Sequence, residues 1–507
     1  MEKIALFELS STAIRLTLCQ AVEGEYFFVF KEYSEFIHIN EHIESDGMIK
    51  SAKIKDCISL LQIYKKICEA QGISKTYCVV AASLSEAKNY SSFLDEASSV
   101  CGLDFKMLNE NDEVTAVYTS VINTLDVPKG VIVNISSHST RIIHYNRRVV
   151  LDSAIIPYGS ANLKAENAKT TAAVDLITKE LGKKAAFMTS LDPESAIIGV
   201  SDVFVSTARL SRKMRKYPVD IDHNYHFDPE QFKQVFDLIK TLDHDKKQKI
   251  KGISSYSANT ILAGMCVIEA ILKYSKLNHV VVANSYRNVG LMFHYALPYT
   301  HERPVSDVLG YSLETTAAGA GLDKKECEAQ YALALLLFKQ LKVLHKLPRV
   351  YAKILRIASY LYHIGKRVNC TNYEKINYNA ILNCGLCGAS HKEIVLASFS
   401  AAQKKWEDFN LSEWVRYKDI TTNDDLEAVR KLSIIVALAE ALNIRNCGAI
   451  KDISCDILGD SVILKLIAED SSKATKIDVK ALQMEIFYAK KYGGEFVKAF
   501  KKNLEIL

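Results

Sequence analysis

Two short runs of small polar residues, each between two apolar segments, have the composition of phosphate-binding turns. The first consists of Ser10, Ser11 and Thr12 between residues 4–9 and 14–19, and the second of Ser136, Ser137, His138, Ser139 and Thr140 between residues 130–135 and 142–145. A tight turn between two strands points several backbone N–H groups into one space, and such a nest binds phosphate oxygens. The unit recurs after about 125 residues, which predicts two similar subdomains with their turns facing across a cleft. An ordinary polar hairpin turn is the alternative interpretation of each run.

Basic residues are a second group of candidates for binding an anion. A cluster follows the segment VSTARL and comprises Arg209, Arg212, Lys213, Arg215 and Lys216. It could be a solvated helix face, or a rail for a long polyanion whose affinity would depend strongly on salt.

Cysteine and histidine could instead bind a metal. Cys384, Cys387 and His391 form a C-x2-C-x3-H run, and Cys370 is the nearest fourth candidate. No second pair follows at a zinc-finger distance, so a structural role competes with a zinc site. The 12 cysteines show no disulfide spacing, which is typical of a reduced, cytoplasmic protein.

The elements that must position these residues follow from periodicity. The pattern predicts strands at 4–9, 14–19, 26–38, 76–82, 130–135, 142–145, 196–205 and 279–284, with helices at 51–70, 86–101, from about 112, 206–215 and 256–275. From about residue 301 helical periodicity dominates, and a strand pair around Gly459 and Asp460 precedes a final helix from about 480. These patterns predict an α/β part, an all-helical part and a small α+β C-terminal region.

Composition sets limits on the function. The chain has 507 residues, 49% of them hydrophobic and 24% charged, and a net charge of +5. This charge suits anionic ligands without requiring nucleic acid. The N-terminus alternates like a strand and has no cleavage site, and no apolar run reaches membrane-spanning length, so we expect no signal peptide and no membrane partner.

Short motifs in sequence order resemble those of the exopolyphosphatase and guanosine-pentaphosphate phosphatase (Ppx/GppA) family. The matching segments are LFELSSTAIRL (6–16), VAASLSEAKN (80–89), NDEVTAVY (111–118), NISSHSTR (134–141), IPYGSANL (156–163), VSTARL (205–210), SANTILAG (257–264), SYRN (285–288), LYHIGKR (361–367) and GASHKEIVLA (388–397). The order holds across nearly the whole chain, and the LYHIGKR form most resembles the alphaproteobacterial branch.

The resemblance implies a fold with four parts. It implies a duplicated actin-like (ribonuclease H-like) core with subdomains at 1–125 and 126–300. A helical domain related to HD-type phosphohydrolases would follow at 301–447, and a small α+β region at 448–507.

The resemblance also implies roles for individual residues. Glu113, preceded by Asp112, aligns with the family's general base, and Glu8 with an acidic residue that would bind Mg²⁺. Arg15 and Arg287 lie in matched motifs and would line the cleft, and Arg209 would bind phosphate.

The chain departs from the family at positions that carry chemistry. Asn134 and Arg141 replace an aspartate and a glutamate, serines and His138 replace the turn glycines, and Ser85 replaces an arginine. An amide cannot act as a base, and a guanidinium repels a metal ion but can bind phosphate. In the helical part, Tyr362-His363 replaces the His-Asp pair and Gln403 replaces a histidine, so we expect no metal chemistry there.

Two functions remain open. The first is a weak, Mg²⁺-dependent hydrolase that releases the terminal phosphate of polyphosphate or guanosine pentaphosphate. The second is a catalytically inactive protein that binds such anions or acts as a scaffold. The resemblance also implies a homodimer.

Overall fold

The computed structural model describes residues 1–163, 170–253, 257–298, 304–445, 450–468 and 476–507. The chain forms two compact units. The first comprises Met1–Lys216 and Asp222–Val308, and the second comprises Tyr217–Ile221 and Leu309–Leu507.

The first unit begins with a five-stranded sheet. Its elements are β1 (Glu2–Leu9), β2 (Ala13–Val22), β3 (Tyr26–Phe36), α1 (Ser51–Ala70), β4 (Lys75–Val80), α2 (Tyr90–Cys101), β5 (Lys106–Met107) and α3 (Glu110–Ile122). The strand order is β3-β2-β1-β4-β5. β1 and β4 run parallel, and their apolar residues are buried because helices cover this part of the sheet.

A six-stranded sheet follows in the same unit. Its elements are β6 (Lys129–Ile135), β7 (Thr140–Asn146), β8 (Val149–Ile156), α4 (Thr170–Lys184), β9 (Ala196–Val200), α5 (Asp202–Met214), β10 (Tyr225–Phe227), α6 (Pro229–Thr241), α7 (His244–Lys249), α8 (Ser257–Ser275), β11 (Val280–Val282) and α9 (Arg287–Ala296). The strand order is β10-β11-β9-β6-β7-β8.

The two sheets repeat one topology. In the first, β1 pairs antiparallel with β2, β2 antiparallel with β3, and β1 parallel with β4. In the second, β6 pairs antiparallel with β7, β7 antiparallel with β8, and β6 parallel with β9. The predicted repeat of a strand–turn–strand unit is therefore confirmed.

The second unit is mainly helical. Its elements are α10 (Val308–Gly319), α11 (Lys324–Gln340), α12 (Lys342–His345), α13 (Tyr351–Tyr360), α14 (Tyr373–Asn383), α15 (His391–Ala401), α16 (Leu411–Val415), α17 (Asn423–Ala441), β12 (Ile450–Leu458), β13 (Ser461–Ala468), α18 (Lys476–Lys490), α19 (Gly493–Phe500) and β14 (Asn503–Ile506). The three strands form one sheet in the order β12-β13-β14. The predicted strand pair around Gly459 and Asp460 is confirmed as β12 and β13.

Two boundaries predicted from the sequence are wrong. The strand predicted at 196–205 ends at Val200, and α5 begins at Asp202 rather than at residue 206. The run VFVS is mostly apolar and contains two valines, so it has strand composition, but all four of its residues are buried at the start of α5. The helix predicted from residue 86 begins at Tyr90, because a short 3₁₀ helix occupies Ala82–Glu86.

Within the described residues, we find no helix that combines the length and the apolar character needed to cross a bilayer.

Candidate functional site

The first unit contains a cavity of about 570 Å³ that opens to solvent. Most of the predicted site residues line it: Glu8, Ser10, Ser11, Thr12, Arg15, Glu113, Asn134, Ser136, Ser137, His138, Ser139, Arg141 and Arg287. Residues from both sheets therefore meet at one place, together with the starts of α3, α5 and α9.

The two serine-rich turns have the same internal hydrogen bonds. In the first, Ser10 N donates to Ala13 O at 2.9 Å, and Ser10 Oγ accepts from Ala13 N at 3.0 Å. In the second, Ser136 N donates to Ser139 O at 2.9 Å, and Ser136 Oγ accepts from Ser139 N at 3.2 Å. Residues with positive φ within the described ranges include none from either turn. Neither turn therefore requires the positive φ that glycine permits, and a serine can take its place. The hydroxyl groups of Ser10 and Ser136 also close their own turns.

The tips of both turns keep backbone donors available. Among the residues described, none accepts a hydrogen bond from the N–H groups of Ser11, Thr12, Ser137 or His138. These four residues line the cavity. Unpaired N–H groups at the edge of a cavity form an anion-binding surface.

Gly159 supports the second turn from behind. A Cβ atom at this position would lie 2.2 Å from the carbonyl oxygen of Ser136 and 2.7 Å from the amide nitrogen of His138. Ser160 N and Ala161 N donate to the carbonyls of Ser136 and Ser137 at 2.9 and 2.8 Å. Only glycine allows this close approach, which fixes the orientation of the turn.

Glu113 lies between two arginines rather than free in the cavity. Its Oε1 accepts from Arg287 Nη1 at 2.8 Å and from Ala82 N at 3.1 Å, and its Oε2 accepts from Arg141 Nη2. The carboxylate is 2% exposed. Three donors occupy most of the roughly four lone-pair sites of this buried carboxylate, and two of those donors are guanidinium groups, so this geometry opposes a role as general base.

Glu8 is the second buried carboxylate, and it shares Arg287. Arg287 Nε donates to Glu8 Oε1 at 2.9 Å, and Nη2 donates to the same oxygen. Burial raises the pKa of Glu8, but the charges of Arg287 and Arg15 and the hydrogen bond from Arg287 outweigh burial and leave the pKa lowered. Burial lowers the pKa of Arg287, and the two glutamates more than compensate. Glu8 and Arg287 are therefore both ionised at neutral pH.

The arginine–glutamate network depends on a close contact between α3 and α9. Asn109 begins α3 with a capping box that includes Asp112, which sets the position of Glu113 in the first turn. Gly290 of α9 lies against α3, where a Cβ atom would be 1.8 Å from Ala116 O. The role of Gly290 could not be predicted from the sequence, because a lone glycine within an apolar helix gives no indication of which element packs against it.

Other predicted residues lie away from the cavity lining. Thr140 is buried and its hydroxyl donates to Tyr158 O at 2.8 Å. Arg209 donates to Asp222 through Nε and Nη2 at 2.9 and 2.7 Å, and Arg212 bonds the same carboxylate. Asp222 thus neutralises part of the basic cluster, which weakens the case for a polyanion rail.

Several residues of the cavity lining were not predicted as site residues, among them Tyr286, Ser201 and Asp202. Tyr286 donates to Asp202 Oδ1 at 3.0 Å, and its ring lies 5.7 Å from the Arg15 guanidinium. Ser201 Oγ is buried and has no hydrogen-bond partner among the described residues. Ser201 and Asp202 lie at the start of α5 and line the cavity. The sequence predicts a strand at 196–205, so it gave no indication of a helix start here.

The cavity does not fit the Mg²⁺ ion that the family resemblance implies. Glu8 and Glu113 are both paired with arginine, and Arg141 lies where a metal-binding or catalytic acid would be needed. Magnesium requires several oxygen ligands in octahedral geometry, commonly one or two carboxylates that are free to bind it. In the described parts of the chain, no group of three or more His, Cys, Asp or Glu side chains could hold a metal ion.

The side chains of the cysteine run in the second unit contact backbone carbonyls and a tyrosine. Cys384 Sγ contacts Ile381 O at 3.3 Å, Cys387 Sγ contacts Gly385 O at 3.9 Å, and His391 Nδ1 pairs with Tyr217 OH at 3.2 Å. Burial raises the pKa of Cys384 to about 12 and that of Cys387 to about 11, as is typical of thiols with a structural role.

The pair Tyr362-His363 lies in a polar cluster of the second unit. His363 Nδ1 is 2.8 Å from Glu326 Oε1 and 3.1 Å from Lys366 Nζ. Lys366 and Lys404 both lie near Glu440, at 3.1 and 3.5 Å. Two ammonium groups thus balance the carboxylates of this cluster.

Comparisons with known proteins agree with this fold. A model of the Ppx/GppA phosphatase family matches residues 19–293. The crystal structure of the Aquifex aeolicus member of that family is 21% identical, with a TM-score of 0.52, covering 59% of this chain and 99% of its own. An exopolyphosphatase from Cytophaga hutchinsonii is 12% identical, with a TM-score of 0.53, covering 58% of this chain and 98% of its own. No curated protein matches the sequence.

At these identities the solved structures establish the fold alone, which is the actin-like fold of Ppx/GppA proteins with mixed sheets and many helices. The family model covers more than half of the 507 residues. The chain therefore belongs to the Ppx/GppA phosphatase family.

Proposed function

We propose that this chain binds a phosphoanhydride polyanion, either polyphosphate or guanosine pentaphosphate, in the cavity and hydrolyses it slowly at most. The observation that carries this proposal is the pairing of Glu113 with Arg141 and Arg287. It provides cationic groups for a phosphate and at the same time occupies the carboxylate that would activate water.

The two turns support the binding part of the proposal. They contribute the unpaired N–H groups of Ser11, Thr12, Ser137 and His138 to one cavity. One of these donor surfaces is the turn between β1 and β2, and the other is the turn between β6 and β7. Two such surfaces in one cavity suit a chain of linked phosphates better than a single small anion.

The weak-hydrolase alternative has one point in its favour, because Glu113 is present and lines the cavity. The inactive-binder alternative is favoured by Asn134, which lies opposite Arg141 in the β6–β7 register. An amide and a guanidinium at these positions can neither act as a general base nor provide a negatively charged ligand for a metal ion.

Orthophosphate release separates these alternatives. The assay uses long-chain polyphosphate and guanosine pentaphosphate with Mg²⁺, and compares the parent chain, Glu113→Gln, and Asn134→Asp combined with Arg141→Glu. We expect near-background release from the parent chain. The combined variant should release orthophosphate faster by about 10²-fold or more, the usual effect of a positioned base.

Two results would contradict the proposal. Rapid release by the parent chain that disappears in Glu113→Gln would identify an efficient hydrolase. No thermal stabilisation of the parent chain by either ligand would remove the binding claim, since a ligand that binds only the folded state raises its stability.

We also make proposals about the type of domain in the second unit and about the oligomeric state of the chain. We propose that the second unit is an HD-like domain without a metal centre, in which Lys366 and Lys404 balance the carboxylate charge. A cytoplasmic homodimer and the division at residues 125, 300 and 447 stay predictions, and sedimentation of the full chain tests the dimer.

A further inference from the structure

We infer that the cavity binds its phosphoanhydride ligand without a divalent cation, and that Arg141 provides the positive charge that a metal ion would otherwise supply. This inference rests on the proposed function, because it concerns how the same cavity neutralises the same ligand. The ligand is then an anion without a bound metal ion, and Arg141 contacts it directly.

The charges of the cavity floor favour an anion over a cation. Three guanidinium groups, those of Arg15, Arg141 and Arg287, meet two buried carboxylates, Glu8 and Glu113. Each carboxylate is already bonded to at least one arginine. A divalent cation entering here would have to displace a guanidinium and then remain beside it, which Coulomb repulsion at low dielectric opposes.

Arg141 retains a donor for a ligand. Its Nη2 bonds Glu113, while its buried Nε has no hydrogen-bond partner among the described residues. The planar guanidinium can bond a phosphate through two parallel N–H groups, an arrangement that a carboxylate at this position could not offer.

Arg141 also lies at the correct place relative to the turns. It pairs with Asn134 across β6 and β7, directly after the turn that carries Ser137 and His138. Arg141 and both of these turn residues line the same cavity. A phosphate bound by the turn's N–H groups would therefore lie beside a guanidinium instead of a metal-binding carboxylate.

Two features of the cavity favour a cation and must be weighed. Glu8 Oε2 has no hydrogen-bond partner in the described structure and lies 4.0 Å from Arg15 Nη1. Glu86, Glu110 and Asp202 also line the cavity, but they are exposed at its mouth. Glu8 Oε2 could hold Mg²⁺ only together with phosphate oxygens and waters, and the Arg15 and Arg287 guanidinium groups beside Glu8 oppose a cation there. Exposed charges are largely screened beyond about 8 Å at physiological ionic strength.

Calorimetric titration with sodium tripolyphosphate tests the inference directly. The full chain is titrated once in EDTA and once in excess Mg²⁺. We expect binding in EDTA, and an affinity in Mg²⁺ that is equal or lower because the cation sequesters the ligand. Binding that requires Mg²⁺, or that weakens more than about tenfold in EDTA, would overturn the inference and leave the proposed function standing. No binding in either buffer would overturn both.

Two variants at one position separate charge from metal binding. Arg141→Gln removes the guanidinium, and we expect about a 10- to 100-fold loss of affinity in both buffers, the effect of one charge-assisted hydrogen bond. Arg141→Glu restores a carboxylate, and we expect binding to be lost in EDTA and partly regained in Mg²⁺. Circular dichroism confirms that each variant is folded. An Arg141→Gln variant that binds as tightly as the parent chain would contradict the role of Arg141.

Discussion

Arg15 and Arg141 occupy equivalent positions in the two repeats of the first unit. Arg15 pairs with Glu8 across β1 and β2, and Arg141 pairs with Asn134 across β6 and β7. Glu8 and Asn134 each precede the turn serine, Ser10 or Ser136, by two residues. The duplicated hairpins therefore place one guanidinium on each side of the cavity, but only the first repeat keeps an acid opposite its arginine.

Removal of Arg287 should destabilise the first unit strongly. Arg287→Gln leaves Glu8 without its strongest partner and Glu113 with Arg141 as its one remaining arginine partner. Breaking a buried ion pair by deleting one partner costs about 3–5 kcal/mol. Urea unfolding followed by circular dichroism measures the change. The matched control is Arg416→Gln, since Arg416 is 63% exposed and should change stability by less than about 1 kcal/mol. Equal effects of the two substitutions would contradict the network.

Glu8 should contribute stability that is lost in acid. Its pKa is lowered in the folded state, so the unfolded chain binds a proton more readily. The contribution is therefore present above the unfolded pKa of about 4.3 and disappears as pH falls through the lower folded value. The difference in unfolding free energy between the parent chain and Glu8→Gln should be largest near neutral pH and shrink in strong acid. A difference that is constant with pH would argue against an ionised, paired Glu8.

Gly159→Ala should displace the second turn. The added methyl group would lie within 3 Å of three backbone atoms of residues 136–138, which cannot move without moving the turn. We expect a loss of about 1–3 kcal/mol in stability and weaker tripolyphosphate binding. Gly182→Ala is the control in the same unit, because its methyl group would meet only Tyr274 OH at 3.9 Å. Equal effects of the two substitutions on tripolyphosphate binding would contradict the role of Gly159 in positioning the second turn.

The acidic mouth of the cavity should slow the entry of an anion. Glu86→Gln and Glu110→Gln each remove an exposed negative charge at the lining. At low ionic strength we expect each to raise the association rate for tripolyphosphate by about two- to fivefold, corresponding to the small energy of an exposed charge interaction. In 0.5 M salt the gain should disappear because the charges are screened. Stopped-flow binding measures both rates, and a gain that persists in high salt would exclude an electrostatic cause.

The turns and the strands around them could be predicted from the sequence. Small polar residues between apolar runs determine where β1 meets β2 and where β6 meets β7, and register then places Asn134 opposite Arg141. That Ser10 and Ser136 close their turns without positive φ could not be foreseen, because the hydrogen bonds depend on rotamers.

The arginine–glutamate network could not be predicted, because its members are far apart in the sequence. Arg287 reaches Glu113 only because Gly290 lets α9 approach α3. The start of α5 could not be predicted either, because its first buried residues have the composition of a strand. Local patterns thus identified the candidate residues but not their partners.

A crystal structure of the chain with tripolyphosphate and Mg²⁺ would show which groups hold the phosphates and whether a cation accompanies them. We expect phosphate oxygens within hydrogen-bond distance of the N–H groups of Ser137 and His138 and of the Arg141 guanidinium, with Glu113 still bonded to Arg287. A divalent cation bound between Glu8 and the phosphates, or a ligand outside this cavity, would contradict this expectation.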